Sequence, residues 1–218
     1  MPGETPVLRD GPEGGPTLLL AHGAGAAMDS PFMQAIAAGL AESGIRVVRF
    51  EFPYMRSRRE LGTRRPPDRQ PVLLASYREV VEQERRGSEG VFIGGKSMGG
   101  RMASMISHDP GISGLVCLGY PFHAPGRPES PRIEHLKALQ TPALILQGTR
   151  DSFGPRDEVE AYELSPAIRI HWLEDGDHDF KPRAASGRTQ RQNREEAIAA
   201  TAAFVLEVAA TGTLPAAP

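Results

Sequence analysis

Apolar residues along this chain fall into short unbroken runs, each closed by glycine or proline and followed by a longer stretch with helical spacing. Residues 17–21 (TLLLA) lack polar alternation, and 45–50 (IRVVRF), 91–95 (VFIGG), 115–118 (LVCL), 143–147 (ALILQ) and 168–173 (IRIHWL) are further short, mainly apolar runs. Runs of that length and β-branched content are strands covered on both faces, as in a parallel sheet. Between them the periodicity changes. In MDSPFMQAIAAGLAESG, Asp29 or Ser30 serves as N-cap, Pro31 takes the first helical position, Phe32, Ile36 and Leu40 share a face, and Gly44 ends the helix. Helices are expected also at 71–86, 101–107, 133–139, 156–164 and 190–209. Six strands alternating with helices predict an open, mostly parallel sheet of about six to seven strands with helices on both faces.

One segment departs from this rhythm. Residues 56–71 (RSRRELGTRRPPDRQP) carry six arginines and no apolar period, which reads as a surface loop or a small lid. The ends, 1–16 and 211–218, read as flexible termini around a single domain spanning 1–218.

Composition then narrows the function classes. Twenty-five Lys and Arg balance 27 Asp and Glu, for a net charge of -2, so no global field selects nucleic acid or an anionic membrane. Cys117 is the only cysteine; it leaves no intrachain disulfide or multi-cysteine zinc site and agrees with a reducing compartment. Lying in GLVCLGY, it reads as a packed core residue. The first residues lack the apolar core of a signal peptide, and no segment reaches the roughly 20 apolar residues of a membrane helix, so a cytoplasmic protein is expected. No metal-ligand spacing occurs, and no cofactor is expected.

In such a sheet, ligands bind beyond the carboxyl ends of the strands, so the chemistry is sought there. Residues 95–99 (GKSMG) fit G-x-S-x-G between a strand and a helix, the context in which a sharp turn lifts a serine above the sheet. Taken alone, the motif also describes a glycine-rich helix entry with a capping serine. Residues 90–97 (GVFIGGKS) satisfy the phosphate-binding pattern G-x-x-x-x-G-K-[ST] as well. That pattern requires its strand before the first glycine, whereas here the apolar VFI lies inside it.

A serine hydroxyl needs a base and a group to orient the base. Asp151 follows ALILQGTR and His178 follows IRIHWLEDGD, both at strand ends and in the order Ser, Asp, His. Among the other histidines, His171 lies within a strand, His108 ends a helix, and His135 belongs to a short helix facing solvent. His22 reads as structural, and His123 with Tyr120, in GYPFHAPG, as pocket lining. Asp175, Asp177 and Asp179 are rivals of Asp151 but stand too close to His178 in sequence for a well-aligned bond. Backbone amides of Ala24, with Gly25 its near competitor, and Met98 are the expected oxyanion donors. Arg58 and Arg59, in the arginine segment, are candidates for an anionic substrate group.

The blocks LLLAHGAGAAMDSPFM, RVVRFEFPYM, GGKSMGGRMAS, LGYPFH, LILQGTRD and DGDHDF, in this order, resemble the small alpha/beta-hydrolases related to dienelactone hydrolase, in the branch that includes testis-expressed and NSL-complex subunit homologues. The resemblance spans about 17–205. It implies an alpha/beta-hydrolase fold without a large cap domain and a Ser97, Asp151, His178 triad, and it implies no known substrate; the order of these parts at strand ends leads us to expect a serine hydrolase acting on an ester, thioester or related small acyl substrate, as a monomer or homodimer. Some eukaryotic members act within assemblies, so the alternative expectation is a non-catalytic binding or scaffold protein whose arginine segment docks an acidic partner or nucleic acid.

Overall fold

The computed structural model describes residues 5–62, 64–85 and 90–214. In chain order these form β1 (Val7–Asp10), β2 (Thr17–Ala21), α1 (Pro31–Glu42), β3 (Arg46–Phe50), α2 (Pro53–Leu61), α3 (Gln70–Glu84), β4 (Val91–Lys96) and α4 (Met98–Ile106). There follow β5 (Ile112–Leu118), α5 (Glu134–Lys137), β6 (Ala143–Gly148), α6 (Arg156–Val159), β7 (Ile168–Leu173) and α7 (Gln190–Thr211). One seven-stranded sheet results, in the order β1-β3-β2-β4-β5-β6-β7. Every pair is parallel except β1 with β3.

The sheet has two dry faces because successive strand residues point in opposite directions. Leu19 and Ala21 of β2, with Val48 and Phe50 of β3, pack beneath α3, α4 and α5. Their neighbours Leu18, Leu20 and Val47 pack beneath α1 and α7. Each central strand therefore needs apolar residues at consecutive positions, which is why these runs show no alternation.

All six expected strands form. Ser30, not Asp29, caps α1, its side chain accepting from the Met33 amide, and Gly44 follows the helix at φ 85°. Asp29 instead meets Arg59 at 2.9 Å.

The differences lie where the apolar signal is thin. Within the segment expected as a flexible terminus, Val7–Asp10 forms an edge strand whose middle residues are exposed; residues 1–4 and 215–218 of the expected termini lie outside the described residues. In the arginine segment, expected as loop or lid, Pro53–Leu61 is a helix that buries only Tyr54 and Met55, too few positions to mark a period. Thr63 of that segment is not among the described residues. The helix expected over 156–164 stops at Val159, and Tyr162 turns in against Phe122, ring centroids 5.9 Å apart.

Candidate active site

The carboxyl ends of β4, β6 and β7 each deliver one side chain to the same cleft. β4 is extended and buried through Lys96, so the phosphate-loop pattern at 90–97 is strand rather than loop. At its end Ser97 adopts φ 51°, ψ -115°, a conformation side chains avoid, and α4 begins at the next residue. Such a turn survives only where its surroundings hold it. Here glycines hold it by contact: a Cβ at Gly95 or at Gly99 would lie 2.4 Å from the Ala21 carbonyl oxygen. The turn places the Ser97 hydroxyl at the head of α4, where the helix dipole favours negative charge.

His178 Nε2 lies 2.8 Å from Ser97 Oγ, and His178 Nδ1 lies 2.8 Å from Asp151 Oδ2. A carboxylate at Nδ1 holds the ring proton there and leaves the Nε2 lone pair facing the serine hydroxyl. The Asp151 side chain is 0 % exposed and that of His178 is 21 % exposed. Buried carboxylates need donors. Asp151 receives them from the Phe153 amide at 2.9 Å and from Gln147 Nε2 at 3.0 Å, besides the imidazole. Gln147 is itself fixed, accepting from the Tyr120 amide at 2.8 Å. The Phe153 ring lies against the imidazole, centroids 4.3 Å apart.

Opposite the serine runs the loop after β2. His22, fully buried, accepts from the Phe52 amide at Nε2 (3.1 Å) and so donates from Nδ1 to the Gly23 carbonyl (2.6 Å). Burial holds its pKa below the usual value against the opposing effect of the Gly23 carbonyl. The Tyr54 hydroxyl of α2 donates to the Ala24 carbonyl at 3.0 Å. Among the described residues, the amides of Ala24 and Met98 have no hydrogen-bond acceptor. Ser97, His178, Ala24 and Gly25 line a cleft of about 340 Å³ walled by Phe32 and Met33 of α1 and by Phe153. That volume suits a small molecule.

Four other sequence candidates fall elsewhere. The Tyr120 side chain is buried and its hydroxyl donates to the Arg132 carbonyl. His123 is buried against the Ala124 carbonyl, its Nε2 3.3 Å from Glu158. Neither lines the cleft. Arg58 donates to the Arg65 carbonyl and lies over the Tyr54 ring, while Arg59 is held by Glu51 (2.6 Å) and Asp29 (2.9 Å). The Arg59 charge is thus paired within the fold, and neither arginine lines the cleft where the anionic-substrate role was expected of them.

One further histidine differs from expectation. His135, expected in solvent, is half-buried, with Nε2 2.8 Å from Ser104 Oγ and 3.3 Å from the Tyr120 hydroxyl. This second Ser–His contact has no carboxylate on the imidazole among the described residues, and Ser104 donates to its own helix at the Arg101 carbonyl. His171 meets Glu196 at 3.0 Å. Cys117 is buried, and burial raises its thiol pKa far above the ordinary range, as befits a packing residue.

Gln147, Tyr54 and Phe153 have no role in the sequence reading, and Lys96 enters it only as the lysine of the phosphate-binding pattern. Gln147 left a signal, a lone amide ending an otherwise apolar strand. Tyr54 and Phe153 left none, because only the fold brings them beside the cleft.

A seven-stranded, doubly wound sheet carrying a serine on a strained strand-to-helix turn, with a histidine and an acid on later strand ends, defines the alpha/beta-hydrolase class. The chain belongs to that family: the model described as alpha/beta hydrolase domain matches residues 14–206. Among curated proteins it is similar to a carboxymethylenebutenolidase of Pseudomonas sp. (strain P51), 29% identical over 129 residues, covering 57% of this chain and 51% of the relative. The match thus spans about half the length of that relative. Among solved structures it resembles an alpha-beta serine hydrolase homologue from Coxiella burnetii, with 19% identity, TM-score 0.68, and 89% and 90% of the two chains covered. A serine hydrolase without lid from Xanthomonas campestris has 20% identity, TM-score 0.62, and 97% and 90% coverage. The chain therefore carries an alpha/beta-hydrolase domain. Among the described residues no helix is long and apolar enough to cross a membrane.

Proposed function

We propose that the protein is a serine hydrolase that cleaves a small ester, thioester or related acyl bond. The observation that carries this reading is the unbroken chain from Ser97 Oγ through His178 to Asp151, 2.8 Å at each link, on a strained serine that lines a cleft. Ser97 Oγ attacks the acyl carbon while its proton passes to His178 Nε2. The carbonyl oxygen becomes an oxyanion held by the Ala24 and Met98 amides, each worth about 3 kcal/mol of transition-state stabilisation. Asp151 orients the imidazole and stabilises its cationic form. His178 then protonates the leaving group, and an acyl-enzyme remains on Ser97. Water, deprotonated by the same imidazole, attacks the acyl carbon and restores the serine.

The resemblance to dienelactone-hydrolase relatives, with testis-expressed and NSL-complex subunit homologues in the same branch, favours a small substrate in the open cleft. The carboxymethylenebutenolidase likeness points the same way. The lone buried cysteine accords with a cytoplasmic setting. The test is covalent labelling with a fluorophosphonate and turnover of p-nitrophenyl acetate and butyrate. Wild type labels and turns over; Ser97→Ala does neither, losing on the order of 10⁴-fold or more in rate while unfolding at a similar denaturant concentration. Equal labelling of both proteins refutes the assignment.

A further inference from the structure

The cleft contains one buried charged group that the proposed chemistry does not use. Lys96, the residue before the nucleophile, lines the cleft with only 9% of its side chain exposed. Its Nζ donates to the His178 carbonyl oxygen at 2.6 Å, lies 3.3 Å from Asp179 Oδ1, and stands 5.5 Å from the centre of the Phe32 ring. Burying an ammonium is costly, and an apolar side chain of similar length fills such a wall without that cost. The charge therefore needs a use.

That use is visible at His178. The imidazole is held at both nitrogens, but among the described residues the His178 backbone has a single hydrogen bond, the one from Lys96. The surrounding loop is braced elsewhere, by the Asp177 carboxylate on the Asp179 and Lys181 amides and by Asn193 on the Phe180 carbonyl. Resting on the serine-hydrolase reading, we infer that Lys96 is a positioning residue: from the strand end that carries the nucleophile, its ammonium grips the main chain of the base and sets the imidazole against Ser97. Lys96, the last residue of β4, and Ser97, the turn residue after it, thus supply the clamp and the nucleophile, so any shift of the strand end moves both together. Asp179 is the counter-charge that partly offsets the burial that lowers the Lys96 pKa.

The experiment compares wild type with Lys96→Met, and with Lys96→Gln should the methionine variant fold poorly. Two readouts are taken. The first is steady-state turnover of p-nitrophenyl butyrate, where kcat falls on the order of 10- to 100-fold with KM nearly unchanged, the scale of a slightly misplaced catalytic group. The second is the downfield proton resonance of the His178 Nδ1–H, identified by its loss in His178→Ala, which broadens or disappears in the Lys96 variant. A folded variant that keeps both kcat and this resonance, or that changes KM alone, overturns the inference. Should wild type neither turn over esters nor label with fluorophosphonate, the hydrolase reading fails by itself, and the resonance still decides what Lys96 does.

Discussion

Ser97 is held in a backbone conformation it would not choose, and two glycines make that possible by leaving room for the Ala21 carbonyl. A Cβ on Gly99 would meet not only that oxygen at 2.4 Å but the His22 carbonyl oxygen at 2.7 Å, both main-chain atoms of β2 and its following loop. Backbone cannot yield as a flexible side chain can. Gly99→Ala is therefore expected to destabilise the fold by roughly 1–3 kcal/mol and to cut ester turnover of the folded protein, because relief of the clash moves the turn or the oxyanion loop. Urea unfolding and turnover per folded molecule measure the two effects. At this scale the sequence is informative about position along a strand and silent about direction. Ser97, Asp151 and His178 were legible because each follows a strand. Tyr120 and His123 follow a strand too, yet their side chains turn away from the cleft, toward Arg132 and Glu158.

Among elements, the six apolar strands and the capped α1 could be read from the chain because apolar runs and cap residues are local signals. β1 could not, since half of it faces solvent and its residues VLRD show no long apolar run. It is fastened by charge: Glu84 of α3 meets Arg9 of β1 at 2.5 Å and Arg46 of β3 at 3.1 Å. Burial raises the Glu84 pKa, but Arg9, with Gln83 and Arg46, outweighs it and holds the carboxyl below its ordinary value of 4.5. Its stabilising contribution is thus present above that value and is lost as pH falls through the lowered one. Glu84→Gln is expected to cost roughly 1–2 kcal/mol at neutral pH, the scale of a charge-assisted hydrogen bond reduced for the half-exposed Arg9. The gap from wild type closes in acid, and denaturant unfolding at pH 7 and pH 3 reads it. α2 was illegible for a related reason. It is defined by Pro53 at its start, Gly62 at φ 64° after its end and two buried side chains, while its arginines satisfy carboxylates and carbonyls that sequence cannot pair with them.

For the molecule as a whole, acid sensitivity follows from imidazoles that the fold keeps dry. Burial lowers the pKa of both His22 and His135 from the usual 6.5. The unfolded chain takes up protons near that value that the folded chain refuses, so this share of stability is complete above pH 6.5 and declines as pH falls below it. Denaturant unfolding across pH 7.5 to 5.5 is expected to show that decline, with a shallower slope in His22→Asn; equal slopes would exclude His22 as a source. The charge balance of the chain, with a net charge of -2, likewise left only local fields to consider, and the local field that matters is the ammonium at Lys96.

The order of the six apolar strands, the serine turn and the Ser, Asp, His succession were written in the chain itself, because apolar runs, glycines and helix caps act over a few residues. Tertiary structure alone decided which side chains entered the cleft, which arginines were already occupied, and that a lysine beside the nucleophile grips the main chain of a histidine 82 residues away. Those outcomes depend on the angle at which each strand end releases its chain and on partners brought together only by the packed sheet.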